Sequence, residues 1–106
     1  TSKEKFLNLR AELWWLLRTR FERTFEQVEG TANHPPEDLI SIPDCPDLIV
    51  ELSLPTYSYT DTAKLKIESK AAMRKRGIAS PDHADALVYS LSPGEYEWYV
   101  PGCLID

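Results

Sequence analysis

"SPDHADALVYSL", Ser80 to Leu91, is the stretch on which the reading of the fold turns. Ser80 and Pro81 are a cap and a first-turn residue by type, so a helix is expected to start there, with Leu87, Val88 and Leu91 as its buried stripe. Asp82 and Asp85 then fall one turn apart on a single face. Two carboxylates so placed repel each other, and a folded chain keeps them at little cost only in water or around a cation. Asp82 is also explained by the positive end of the helix dipole. Asp85 lies deeper, between Ala84 and Ala86, whose small side chains leave room for close approach, and it is the stronger candidate ligand.

Working back along the chain, Gly77 is expected to stop a short basic helix, "KAAMRKR", that Ser69 caps. Before it, "TYSYTDTAKLKIES" alternates in two runs around "TDTA" and reads as a β-hairpin. "CPDLIVELS" reads as a brief helix capped by Asp44 with Pro46 in its first turn, and "LISIP", Leu39 to Pro43, as a short strand. Helical spacing of Phe6, Leu9, Leu13, Leu16, Leu17, Phe21, Phe25 and Val28 predicts one long first helix over about residues 3–28, with Thr1 and Glu4 at capping-box spacing. Its centre, "LWWLL", is apolar nearly all round, and a chain of 106 residues has little to cover two tryptophans on different flanks. A partner surface is expected there: a second copy, or the rest of a larger protein.

Composition sets the class. The chain is 42% hydrophobic and 27% charged, that of an ordinary globular domain, with a net charge of −5. The charge is uneven. From Lys64 to Arg76 the local balance is +5, carried by Lys64, Lys66, Lys70, Arg74, Lys75 and Arg76 against Glu68, which leaves −10 for the remainder. Such a patch can meet a polyanion on an otherwise acidic protein. Hairpin lysines also commonly guard a sheet edge, so Lys64 and Lys66 carry two readings. Cys45 and Cys103 have no paired spacing, which favours two reduced thiols over a zinc site or a disulfide framework. His34 and His83 have no partners at ligand spacing, and His83 reads as a solvent-facing helix residue. No apolar run approaches the roughly 20 residues of a membrane span.

Three blocks, "FLNLRAELWWLLRTRF", "YSYTDTAKLKIESKAAMRKRG" and "SPDHADALVYSL", taken in that order, resemble the C-terminal end of the large terminase subunit of tailed phages and prophages. The most specific parts are "NLRAELWW", "IESKAAMRKRG" and "SPDHADAL". The Asp-x-x-Asp-Ala-Leu pattern also resembles the last acidic element of Holliday-junction resolvases. The terminase resemblance implies an α+β chain, helices plus a β-hairpin, forming the C-terminal portion of a ribonuclease H-like α/β nuclease domain. It makes residues 1–106 a single partial domain. It further implies that Asp85 is a catalytic metal ligand, with Asp82 auxiliary, in a cluster holding two Mg²⁺ or Mn²⁺ ions. The basic segment, Lys64, Lys66, Lys70, Arg74, Lys75 and Arg76, then faces the backbone of double-stranded DNA in the bacterial cytoplasm. The other acids of that cluster belong to strands upstream of the matched blocks, and nothing in the resemblance gives Glu51 or Asp47 their role. No GxxxxGK[ST] loop is present for an ATPase. The expected chain is therefore a fragment, inactive alone, whose partners are DNA, the rest of the subunit and, through the tryptophan face, further copies of itself. The alternative is a non-catalytic, self-associating interaction module.

Overall fold

In the computed structural model of the chain, residues 2–92 are described, the side chains from residue 4 onward. A short helix α1 (Ser2–Lys5) precedes the 21-residue helix α2 (Leu9–Glu29). A single 3-10 turn (Pro36–Asp38) leads to α3 (Pro46–Leu52), the strands β1 (Tyr57–Tyr59) and β2 (Leu65–Ile67), α4 (Lys70–Lys75) and α5 (Asp82–Tyr89). The α+β class, helices with an antiparallel hairpin, is as expected.

The long first helix is broken, not continuous. Asn8 takes extended dihedrals and its side chain accepts a hydrogen bond from the Ala11 amide, capping α2. Just before it, Phe6 pairs with Leu65 as a parallel bridge and the Leu7 amide donates to the Leu65 carbonyl at 2.9 Å. Apolar periodicity runs through the break, but this bridge to the hairpin and the Asn8 cap override it. The ends of the expected stripe are also wrong: Leu9, Phe25 and Val28 are 41%, 66% and 78% exposed, while Phe21 packs against the core.

The core lies where α2 meets α3 and α5. Leu13, Trp14 and Leu17 of α2 pack with Cys45 and Leu48 at α3 and Ala84 and Val88 of α5. Burying aliphatic side chains of this kind contributes about 1.5–3 kcal/mol each. Trp14 is thus covered within the chain, contrary to the expectation that both tryptophans need an outside partner. Trp15 faces the other flank, edge-on to Tyr57 with Arg18 over its ring at 4.4 Å.

Three further expectations are corrected. Leu39 to Pro43 forms no strand; its extended backbone is tied to α2 instead, the Ile40 amide donating to Thr24 Oγ1 at 2.9 Å. The caps of α3 and α5 fall one residue later than expected, at Cys45 and Pro81, because each proline's ring and missing N–H suit the helix entrance. Cys45 is disulfide-bonded rather than a reduced thiol, since spacing along a chain does not determine which sulfurs meet in space. Thr1 and everything from Pro93 onward, Cys103 included, lie outside the described residues. No helix among the described residues is long and apolar enough to cross a membrane.

The hairpin and α4 form as expected. Tyr57 faces Ile67 and Tyr59 faces Leu65 in register, and Ala63 closes the loop in the left-handed region at φ 64°. The Ser69 side chain accepts from the Ala72 amide to start α4, and Gly77 follows its end at φ 78°. Together these elements bring β2, α4 and α5 to the N-terminal turns of α2.

Candidate metal and DNA-facing site

Asp85 is the one charged residue in the buried interior among the described residues, 4% exposed. Its flanking Ala84 and Ala86 are themselves buried, so they admit close packing by α2 rather than access for solvent. From α2, Trp14 Nε1 donates to Asp85 Oδ1 at 3.0 Å and Arg10 Nε donates to the same oxygen at 3.3 Å. Trp14 has a donor and no acceptor, so burying its indole requires an oxygen at that position. Arg10 is held in turn: its Nη1 donates to the Glu68 carbonyl at 2.7 Å and its guanidinium lies 5.8 Å over the Trp14 ring.

The second oxygen is different. Asp85 Oδ2 is buried and accepts no hydrogen bond, although Lys70 Nζ stands 3.1 Å away. The contact is close enough for an ion pair but not aligned for a hydrogen bond. The same ammonium is 3.6 Å from Asp82 Oδ1, which also accepts from Ser80 Oγ at 2.7 Å. A cation therefore does lie between the two carboxylates, and it is a lysine side chain. Asp82 is exposed, as its place in the first turn predicts.

The basic segment divides by environment. Lys66 and Lys70 line one cleft of about 620 Å³ together with Arg10, Asn8, Ser69 and Tyr89. Arg74 and Lys75 are exposed on α4, and with Lys64 and Lys66 they make no ion pair among the described residues. Arg76 is instead forked onto Glu68 at 2.6 and 2.7 Å and donates to the Leu54 carbonyl. Those Arg76 hydrogen bonds hold the Glu68 carboxyl below its ordinary range, burial opposing them, and Glu68 raises Arg76 in return.

The two histidines have partners that spacing does not reveal. His83 Nδ1 lies 2.6 Å from Glu51 Oε2, and the His83 amide donates to the other Glu51 oxygen. This corrects the solvent-facing reading of His83 and commits Glu51 to clamping α3 against α5. Likewise His34 Nε2 meets Glu26 at 3.2 Å. Among the described residues no group of three or more histidines, cysteines or acids comes together as a metal site. Arg10 and Trp14 are the residues that sequence reasoning missed. Their signal is i, i+4 spacing on one face with a buried indole that needs an acceptor.

No family model and no curated protein matches the sequence. Solved structures do. The nuclease domain of the large terminase subunit gp2 of bacterial virus Sf6 is 27% identical with a TM-score of 0.80, over 87% of this chain and 44% of that one. A lysine-to-alanine variant of the same domain with manganese is 26% identical at TM-score 0.80, over 86% and 44%. Such a variant with calcium gives the same values. The chain thus has the fold of the nuclease domain of a phage large terminase subunit, as the three sequence blocks imply, and spans less than half the length of those structures.

Proposed function

We propose that the chain is the C-terminal part of the nuclease domain of a phage DNA-packaging terminase large subunit. In this reading it contributes the last metal-binding acid and a basic DNA-facing rim to a two-metal endonuclease in the bacterial host cytoplasm. The observation that carries the reading is Asp85 Oδ2, a buried carboxylate oxygen with no hydrogen-bond donor and a cation beside it. A divalent ion fits that oxygen by type, since it is a carboxylate oxygen that accepts no hydrogen bond and already faces a cation, Lys70 Nζ at 3.1 Å. Asp82, across the same cation, is the auxiliary acid.

Hard carboxylate oxygens suit Mg²⁺ or Mn²⁺. Two such ions, held by Asp85 with acids from the rest of the domain, would supply the activation of a water and stabilisation of the leaving 3′ oxygen of a phosphodiester. The chain's own residues hold and orient the acid: Trp14 and Arg10 fix Asp85, and Lys70 balances its charge. Lys64, Lys66, Arg74 and Lys75 carry the phosphate contacts, with Lys70 between the acids and the cleft. Arg76 contributes through the field of the rim, since its guanidinium is spent on Glu68.

The chain alone should be inactive, because one acidic helix cannot fix two metals, and its partners are double-stranded DNA and the remainder of the subunit. The purified chain is expected not to nick plasmid with Mg²⁺ or Mn²⁺. In the intact subunit, Asp85→Asn should abolish cleavage and leave ATP hydrolysis in place. Cleavage at the normal rate in that variant overturns the reading.

A second reading, a non-catalytic module that self-associates through α2, is favoured by the exposure of Phe25 and Val28 and by an apolar groove of about 400 Å³ at Trp15, Phe21 and Tyr57. Sedimentation combined with Mn²⁺ titration separates the two. A concentration-dependent dimer that ignores Mn²⁺ supports the module, and an Asp85-dependent Mn²⁺ response supports the nuclease.

A further inference from the structure

We propose that Arg10 and Trp14 are positioning residues for a divalent ion at Asp85, consuming Oδ1 so that the carboxylate offers Oδ2 alone. The proposal rests on the metal-site reading above and deepens it. A free carboxylate has two equivalent oxygens and can turn about its last bond to present either, or both together. Here the equivalence is broken. Both α2 donors converge on Oδ1 at 3.0 and 3.3 Å, and none reaches Oδ2. A cation is then met end-on by one oxygen whose direction is set before it arrives, which removes the ordering cost from binding.

The donors are themselves held, so the orientation does not depend on Asp85 alone. Trp14 is 7% exposed within the core cluster, and Arg10 is anchored on the Glu68 carbonyl at the end of β2. Arg10 plays two opposed parts. Its hydrogen bond orients the acid, while its charge repels a second cation at this distance. Trp14 is neutral and supplies orientation without that opposition, so it gives the cleaner test. Outer donors of this type typically change metal affinity by about 10–100-fold when lost.

The experiment is a Mg²⁺ titration of the 106-residue chain followed in ¹H–¹⁵N spectra. Using the chain itself confines the response to its own acids. In the wild type, the Trp14 indole N–H and the Asp85 backbone amide are expected to shift saturably while the Trp15 indole stays still. Trp14→Phe keeps the apolar bulk and removes the donor; Mg²⁺ affinity read at the Asp85 amide should fall about tenfold, with the remaining spectrum that of the folded chain. Arg10→Lys keeps the charge and loses the fork, and should also weaken binding. If Trp14→Phe does not fold, Arg10→Lys and the wild-type indole response decide the matter. Wild-type Mg²⁺ affinity in both variants overturns the positioning role and leaves the metal site standing. A wild-type response that persists unchanged in Asp85→Asn, or no response at all, overturns the metal reading itself.

Discussion

At the scale of single residues, the energetics of Asp85 reverse what its position beside Asp82 suggests. Considered only as one of two repelling acids, Asp85 should be removable at no loss of stability. In the fold it is the acceptor for a buried indole and a nearly buried guanidinium. Asp85→Ala is therefore expected to destabilise the chain by about 3–5 kcal/mol, the range for stranding one member of a buried pair. Asp85→Asn, which keeps an oxygen for Trp14, should cost clearly less. Urea unfolding of the two variants beside the wild type checks the order, and an Asp85→Ala chain as stable as the wild type contradicts it. Glu68 gives a second, pH-dependent case. Its folded pKa is lowered chiefly by the Arg76 hydrogen bonds, so the stability it contributes is present above the ordinary value of 4.5 and is lost as pH falls through the lower folded value. Between about pH 6 and about pH 3, the denaturation midpoint of Glu68→Gln should fall less than that of the wild type.

Elements obey their local signals where those signals are strong and yield to tertiary partners where they are not. The hairpin and α4 were legible because their determinants lie within a few residues: two alternating runs around "TDTA", and Ser69 reaching the Ala72 amide. The start of α2 was not, because Phe6 keeps the helical period while its backbone pairs with Leu65, nearly sixty residues on. "LISIP" misled for a related reason. Its residues suit a strand, but among the described residues no strand lies beside them, and Thr24 of α2 takes the Ile40 amide. Two substitutions test this level. Asn8→Ala should cost about 1 kcal/mol by removing the cap that defines the break. Ala63→Gly should add roughly 0.5–1 kcal/mol, since Ala63 holds a left-handed φ of 64° that glycine adopts without steric cost. Thermal unfolding reads both, and a lower midpoint for Ala63→Gly would show that the loop is not strained as described.

Across the whole molecule, charge is sorted rather than mixed, and the sorting is legible in the sequence. The +5 segment maps to β2, α4 and their flanks, beside the buried Asp85. What the sequence could not reveal is which of those cations are already spent: Arg76 on Glu68, and Lys70 on the acids. If the proposed reading holds, Arg74→Ala and Lys75→Ala in the intact subunit should each weaken DNA binding for every sequence alike and flatten the salt slope by about 1. A slope unchanged in the double variant would remove α4 from the interface. The donors around Asp85 also stand far from it along the chain, at separations of 75 and 71 residues for Arg10 and Trp14. Contacts of such span carry the entropy cost of closing a long loop. The donors of Asp85 Oδ1 are therefore in place only when the first turns of α2 have docked on α5. Amide exchange in the first turns of α2 and in α5 should accordingly open together, as one cooperative unit, so that the carboxylate loses both its donors whenever either helix leaves the other.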